Sequence, residues 1–349
     1  ELFVARPAAW LRAISRYRAT VSPAPNFAYG LCVDRVRDDE LEGVDLSSWR
    51  VALNGAEPVA GEVLRRFQRR FATWGFRPEA LTPVYGLSEA SLAVTFSPLD
   101  QPFASRRFDR EALASRLEAI DDPTGVEIVS GGRPLPNVVL RVVDREYRDL
   151  PERRVGRVLV RGPSLMEGEL GRRRATARTL RDGWLDTGDL GFVAEDDLYL
   201  TGRAKDVLRL RGRNHSPVEV EHAVDTVGGV RTGCAAAVSF MPEDGEREML
   251  LVMVEARRGV PVSRYPQIGE KVSLAVLAAT GLDADRVEVL EPGALPRTSS
   301  GKIRRHEALH RWQTDELTPP AAVTPFSLVG AAVPSTLALD RAERRRGSG

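Results

Sequence analysis

Residues 49–90 constrain the fold more than any other stretch. WRVALNG (49–55) is a short apolar run closed by a turn, the pattern of a buried strand. PVAGEVLRRFQRRFATWGF (58–76) starts on a proline, repeats apolar residues at helical spacing and closes near Gly75. It predicts an amphipathic helix. LTPVYGLSEA (81–90) predicts a second strand that runs into a loop. Strand, helix, strand is the pattern of an α/β domain.

Three β-rich runs follow, VEIVSGG, VVLRVVD and GRVLVRG, separated by glycine and proline, so a smaller β region completes this part. Ahead of them lies 97–125, polar and bounded by prolines, with one short helix candidate at 109–120. It has the look of an insertion. From 206 the pattern changes: an apolar run at 207–210, a helix from Pro217 to about Val227, and strands at 234–240 and 249–255. A helix near 265–280, a strand at 286–290 and a last helix from about 302 complete a small α+β domain. The expected division is therefore 1–205, the C-terminal part of a large α/β domain with its insertion at about 97–125, then 206–312, then a tail at 313–349. That tail is rich in Pro, Ala, Thr and Ser and predicts a flexible linker.

Composition removes several classes of function. Of 349 residues 42% are apolar, enough for packed cores. The 50 basic and 49 acidic residues nearly cancel, which gives no reason to expect nucleic acid or an acidic membrane as the main partner. No apolar run approaches the length of a membrane span. Two cysteines, Cys32 and Cys234, imply no disulfide framework and fit a reducing cytoplasm. The opening residues lack a signal peptide's order of segments and an initiator Met, so the chain reads as beginning inside a longer one.

Five short motifs carry chemistry. LPRTSSGK (295–302) is a loop of small and hydroxylic residues from which one lysine projects, a compact charge suited to phosphate or carboxylate. It is not a Walker A loop, which needs glycine where Pro296 stands and Ser or Thr where Ile303 stands. WLDTGDLGF (184–192) holds Asp186 and Asp189 in a turn suited to accept hydrogen bonds from sugar hydroxyls. YLTGRAKDVLRLRGRNH (199–215) concentrates cations at the junction of the two domains. NGAEPV (54–59) and VYGLSEA (84–90) each follow a strand and offer a glycine turn and a carboxylate; the second adds a ring and a hydroxyl. Ring stacking, phosphate contact and Mg²⁺ ligation are what a nucleoside triphosphate site requires.

Together and in this order, the five motifs resemble the adenylate-forming superfamily of acyl-CoA synthetases, adenylation domains and luciferases, over about residues 1–312. RPAAWLRAISRYRATVSPAPNFAYGLC (6–32), the segment after YGLSEA, and RGRNHSPVEVE (211–221) are similar to the fatty acyl-AMP ligases. The resemblance implies an ANL adenylate-forming fold truncated at its N-terminus. It implies ATP-dependent activation of a fatty acid to an acyl-adenylate, with release of pyrophosphate and Mg²⁺ as cofactor. The acyl group would then pass to the phosphopantetheine of an acyl carrier protein, and segment 97–125 stands where the family's insertion associated with that choice of acceptor belongs.

Carried onto this sequence, the resemblance has Gly55, Ala56 and Glu57 line the adenine and Tyr85 stack on it, with Gly86 alongside. Ser88 contacts the α-phosphate and Glu89 holds Mg²⁺. Asp189 binds the ribose hydroxyls, helped by Arg203. Asp206 is the hinge of the small domain, and Lys302 bridges the fatty carboxylate and the α-phosphate. The superfamily's Gly- and Ser/Thr-rich phosphate loop is not present, and Gly168 is followed by Glu169 and Leu170 where an aromatic pair is usual. The alternatives are an acyl-CoA ligase of the same superfamily and an inactive fragment that acts only as a binding module.

One further stretch spells a different enzyme. HEALH (306–310) sets two histidines on one helix face beside Glu307, the pattern of a zinc peptidase. Zinc requires a third protein ligand. Only His215 and His222 remain, far upstream, so the stretch is expected to be an ordinary surface helix.

Overall fold

The computed structural model describes residues 3, 6–210, 212–242, 245, 247–298 and 301–319. Helix α1 (Ala8–Tyr17) buries Ala8, Leu11 and Ile14 and ends on Arg18 in the left-handed conformation. Strand β1 (Val21–Ala24), helix α2 (Asn26–Arg35), strand β2 (Val51–Asn54), helix α3 (Gly61–Phe71) and strand β3 (Leu81–Leu87) follow. The three strands pair in parallel, with Val21 opposite Val51 and Ala52 opposite Leu81. Strand β4 (Leu92–Phe96) returns antiparallel to β3.

Helix α3 shows why this layer holds. Val63, Leu64, Phe67 and Phe71 fall on its buried face. Phe67 meets Tyr29 at 5.0 Å and Phe76 at 5.0 Å, and Trp49 meets Phe76 at 5.2 Å, all edge to face. Each such ring pair adds about 1 kcal/mol beyond its area burial. The outer face carries Arg65, Arg66, Arg69 and Arg70, paired with Glu127, Asp34, Glu62 and Asp38. The helix is shorter than the expected 58–76. The Ala60 amide donates to Asn26 Oδ1, which keeps the segment ahead of Gly61 extended. Beyond Phe71 the chain tightens into a 3₁₀ turn ended by Gly75 at φ 81°.

Segment 97–125 is ordered and only partly helical. Strand β5 (Ser105–Phe108) pairs antiparallel with strand β6 (Val126–Val129). Phe108 is fully buried, edge-on to Phe192 at 5.0 Å. The helix expected at 109–120 is reduced to a π turn over Ala112–Arg116. Its continuation is taken by pairing, because Ala119 donates to the Arg153 carbonyl and Val155 to that of Leu117, both at 2.8 Å. Strand β7 (Arg133–Pro134) closes the first sheet beside β4.

Strands β8 (Val139–Val143) and β9 (Gly156–Arg161), helix α4 (Arg173–Thr179), and strands β10 (Leu180–Arg181), β11 (Trp184–Ala194) and β12 (Asp197–Arg203) form the next unit. Its sheet is antiparallel, with β8, β9 and β11 in order and both β10 and β12 paired to β11.

From Leu208 a separate core forms. Strands β13 (Leu208–Leu210) and β14 (Arg213–His215) make a hairpin ahead of helix α5 (Pro217–Val224). Strands β15 (Val230–Phe240) and β16 (Met249–Ala256), helix α6 (Tyr265–Thr280), strand β17 (Arg286–Leu290) and helix α7 (Arg305–Gln313) follow. Strand alternation sorts the two faces of this sheet. Ala235, Ala237, Val252 and Val254 face Val220, Val224, Val272 and Val276. Ala236, Val238, Leu251 and Met253 face Leu295 and Ala308. The last helix starts at Arg305 rather than about 302, since Ile303 still pairs with Arg297 and the Arg304 amide donates to the Pro296 carbonyl. Of the expected tail, 320–349 lie outside the described residues, as do Ser299 and Ser300 of the lysine loop. Among the described residues no helix is long and apolar enough to cross a membrane.

Candidate functional site

The first sheet delivers two turns to one end. Gly55 follows β2 where an added Cβ would lie 2.8 Å from the Val84 carbonyl oxygen, so only glycine fits. Ala56 takes φ 68°, which throws Glu57 back toward helix α2. Glu57 Oε1 accepts the Phe27 amide at 2.6 Å in the first turn of that helix, a favourable place for a carboxylate. Burial raises the Glu57 carboxyl above its ordinary range, and Arg297 and Lys302 oppose that rise.

Strand β3 bulges between Tyr85 and Gly86. At Gly86 a Cβ would sit 1.6 Å from the Leu92 carbonyl oxygen, so this turn too depends on glycine. The Tyr85 ring is buried beside Val94, Val158 and Leu198. Its hydroxyl donates to Asp189 Oδ2 at 2.6 Å. Ser88 and Glu89 follow on an exposed 3₁₀ turn, where the Glu89 carbonyl accepts the Met166 amide at 2.7 Å.

Asp189 lies on β11 opposite Arg203 of β12, whose Nε donates to Oδ1 at 3.0 Å. Burial raises the Asp189 carboxyl, while Tyr85, Arg203 and Lys302 each pull it back down. Lys302 stands on a loop that closes on itself. Its amide donates to Thr298 Oγ1 at 3.0 Å, and the Thr298 amide donates to the Lys302 carbonyl at 2.8 Å. Arg297 Nη1 holds the Gly301 carbonyl at 2.8 Å. The exposed Lys302 side chain lies within electrostatic reach of both Glu57 and Asp189.

Of the residues singled out in the sequence, Tyr85, Asp189 and Arg203 are joined by hydrogen bonds, the Lys302 charge acts on both Asp189 and Glu57, and Gly55, Ala56 and Gly86 shape the turns. Ser88 and Glu89 occupy the adjacent exposed turn. Asp206 stands apart, bonded to Arg305 at 3.1 Å and facing His306 Nε2 at 3.5 Å. Arg305 also grips Glu221 with two bonds of 2.6 Å. Sequence reading missed that arginine; its one visible signal is its position three residues after Lys302. Asp186, read with Asp189 as a possible sugar ligand, is turned away toward Tyr147 and Arg157. The HEALH residues have local partners, with Glu307 paired to Arg311 at 2.8 Å and His306 facing Asp206.

A buried carboxylate held by a phenol and an arginine, an exposed carboxylate turn and an exposed lysine make up the candidate site. The family profile described as AMP-binding enzyme matches residues 2–168. A putative acyl-CoA synthetase of Caulobacter vibrioides is 38% identical over 314 residues, 88% of this chain and 54% of that protein. The medium-chain-fatty-acid–[acyl-carrier-protein] ligase JamA of Moorena producens is 34% identical over 318 residues, 87% of this chain and 54% of that protein. A solved structure from work on fatty acyl-adenylate ligases of E. coli and L. pneumophila superposes with a TM-score of 0.81 at 35% identity, covering 90% of this chain and 56% of that one. The chain belongs to the AMP-binding, adenylate-forming enzymes and has part of their ANL fold. It spans about half the length of the curated relatives it matches, 54% of each of the two named.

Proposed function

We propose that the full-length protein activates a fatty acid with ATP, forming an acyl-adenylate and pyrophosphate, and passes the acyl group to the phosphopantetheine thiol of a carrier protein. The observation that carries this reading is the buried Asp189 carboxylate held by the Tyr85 hydroxyl at 2.6 Å and Arg203 at 3.0 Å, with the Lys302 charge of the small part acting on it and on Glu57. Asp189 and Arg203 hold the ribose hydroxyls; Gly55, Ala56, Glu57, Tyr85 and Gly86 form the adenine side; Ser88 meets the α-phosphate. The Lys302 ammonium then faces the fatty carboxylate and the α-phosphoryl oxygens as two anions are brought together. Attack of the carboxylate oxygen on phosphorus expels pyrophosphate. Catalysis is positioning and neutralisation of charge, with no covalent enzyme intermediate.

Glu89 suits Mg²⁺, a hard cation that takes one or two carboxylates plus phosphate oxygens. Its carboxylate is exposed, and it forms no ion pair among the described residues. The metal would supply charge neutralisation on the phosphates. In this reading residues 1–205 belong to the large domain, 206–312 to the mobile one, and Asp206 is the pivot that lets the thiol enter after Lys302 withdraws. The two buried free thiols, Cys32 and Cys234, fit a cytoplasmic setting.

A second reading, an acyl-CoA ligase, draws on the name of the Caulobacter relative. Fatty-acid-dependent ATP–pyrophosphate exchange by the full-length protein tests the first half-reaction, and its absence across short and long acids sinks the proposal. Product analysis with coenzyme A against a phosphopantetheinylated carrier separates the two acceptors.

A further inference from the structure

The turn that carries Asp189 is a departure from regular sheet. Strand β11 pairs with β9 at Leu185–Val160 and Asp186–Leu159, then loses register until Leu190 meets Arg157. Thr187, Gly188 and Asp189 bulge out between, with Gly188 at φ 72°. A bulge gives up ladder hydrogen bonds, so something else must fix its shape.

Side chains take over that task. Asp186 Oδ1 accepts the Gly188 amide at 3.0 Å, the short-range bond of an Asx turn. Thr187 Oγ1 donates to the Val158 carbonyl at 2.8 Å and accepts the Asp189 amide at 3.1 Å. Asp186 is itself anchored. The Tyr147 hydroxyl donates to Oδ2 at 2.8 Å, and Arg157 Nη1 reaches the two oxygens at 3.3 and 3.2 Å. The Arg181 guanidinium lies 4.6 Å over the Tyr147 ring. The Asp186 side chain is 10% exposed, and both of its oxygens are committed to this network.

We propose that Asp186 is a positioning residue: it clamps the 187–189 bulge to Tyr147 and Arg157 and so aims the Asp189 carboxylate at the ribose. The inference rests on the reading of Asp189 as the ribose acceptor. It separates two carboxylates of one turn, Asp189 for substrate and Asp186 for shape. Asp186 takes its arginine and phenol from β9 and from the turn between β8 and β9, whereas Asp189 takes Arg203 from β12 and Tyr85 from β3.

The test uses the full-length protein and compares ATP with 2′-deoxy- and 3′-deoxy-ATP in fatty-acid-dependent pyrophosphate exchange. Wild type is expected to prefer ATP. Asp186→Ala is expected to lower kcat/KM for ATP about tenfold or more, as a displaced ligand contact does, while the deoxy substrate least used by wild type changes about twofold or less. The preference for ATP then collapses, which a loss of general stability does not produce. An equal fall with every nucleotide leaves the preference intact and overturns the proposal alone. A wild type indifferent to the hydroxyls overturns the ribose reading and the proposal with it. Should Asp186→Ala not fold, Asp186→Asn and Tyr147→Phe are measured instead. A reduced preference in both supports the clamp, and an unchanged preference overturns it.

Discussion

The Tyr85 hydroxyl and Asp189 Oδ2 lie 2.6 Å apart across 104 residues of sequence, joining a strand of a mixed sheet to the bulge of an antiparallel one. A buried carboxylate that loses a donor keeps its desolvation cost. Tyr85→Phe is therefore expected to raise the Asp189 pKa further above its already elevated position and to weaken nucleotide binding about tenfold. Calorimetric titration with ATP at neutral and mildly acidic pH checks both effects. The sign is fixed by the raised pKa: binding falls as pH drops, and the fall begins at higher pH in the variant. Equal affinities in the two proteins would remove Tyr85 from the site.

Lys302 is exposed, and its loop is held by Arg297 and Thr298 rather than by the ammonium. Lys302→Ala should thus leave the unfolding free energy within about 0.5 kcal/mol of wild type. In the full-length protein it should reduce pyrophosphate exchange by about two orders of magnitude or more, the scale of losing a preorganised charge at a reacting phosphate. Denaturant unfolding and exchange measured side by side decide it. Near-normal exchange would dismiss the lysine from the chemistry.

Elements with strong local periodicity were legible in the sequence. The helix expected at 265–280 is Tyr265–Thr280, and the strand at 286–290 is Arg286–Leu290. The misses share a cause. Residues 117–119 have helix-compatible spacing, but their backbone pairs with 153–155, and nothing local announces a partner so far along the chain. The same holds at the site. The motifs named Glu57, Asp189 and Lys302, because small residues around a lone charge are a local pattern. Which carboxylate of LDTGD meets Tyr147 and Arg157 and which meets Tyr85 and Arg203 is decided by partners that only the fold brings near.

Arg305 is the hub of the contact between Asp206 and helix α5. Its side chain is 18% exposed and holds Glu221 at two points and Asp206 at a third. Removing one partner of a largely buried ion pair costs more than the pair contributes, because the remaining charges lose their compensation. Arg305→Ala is expected to destabilise the protein by about 3 kcal/mol. Arg305→Lys should recover only part of this, since an ammonium cannot make the two-point contact with Glu221. Chemical denaturation of the three proteins gives the order. A lysine variant as stable as wild type would show that charge alone suffices there.

Asp225 supplies a pH signature for the same region. Its Oδ1 accepts the Gly233 amide at 2.7 Å, yet burial raises its pKa to about 7, and Glu221, Glu57 and Asp34 add to the rise. The folded state therefore holds a proton that the unfolded chain releases near the ordinary aspartate pKa of about 4. Folded protein binds more protons between those values, so this group's stability is fully present below pH about 4 and is lost as pH rises through about 7. His222 works in the opposite direction. Burial and Arg305 lower its pKa to about 4, so its contribution is lost as pH falls from about 6.5 through 4. Asp225→Asn keeps an acceptor for Gly233 and cannot ionise. It isolates the first term, and its stability relative to wild type should climb between pH 4 and 7 by a few kcal/mol at most, since one pKa unit is about 1.4 kcal/mol. Parallel urea titrations across that range check it. A difference between the two proteins that stays constant with pH would mean that Asp225 is ionised throughout.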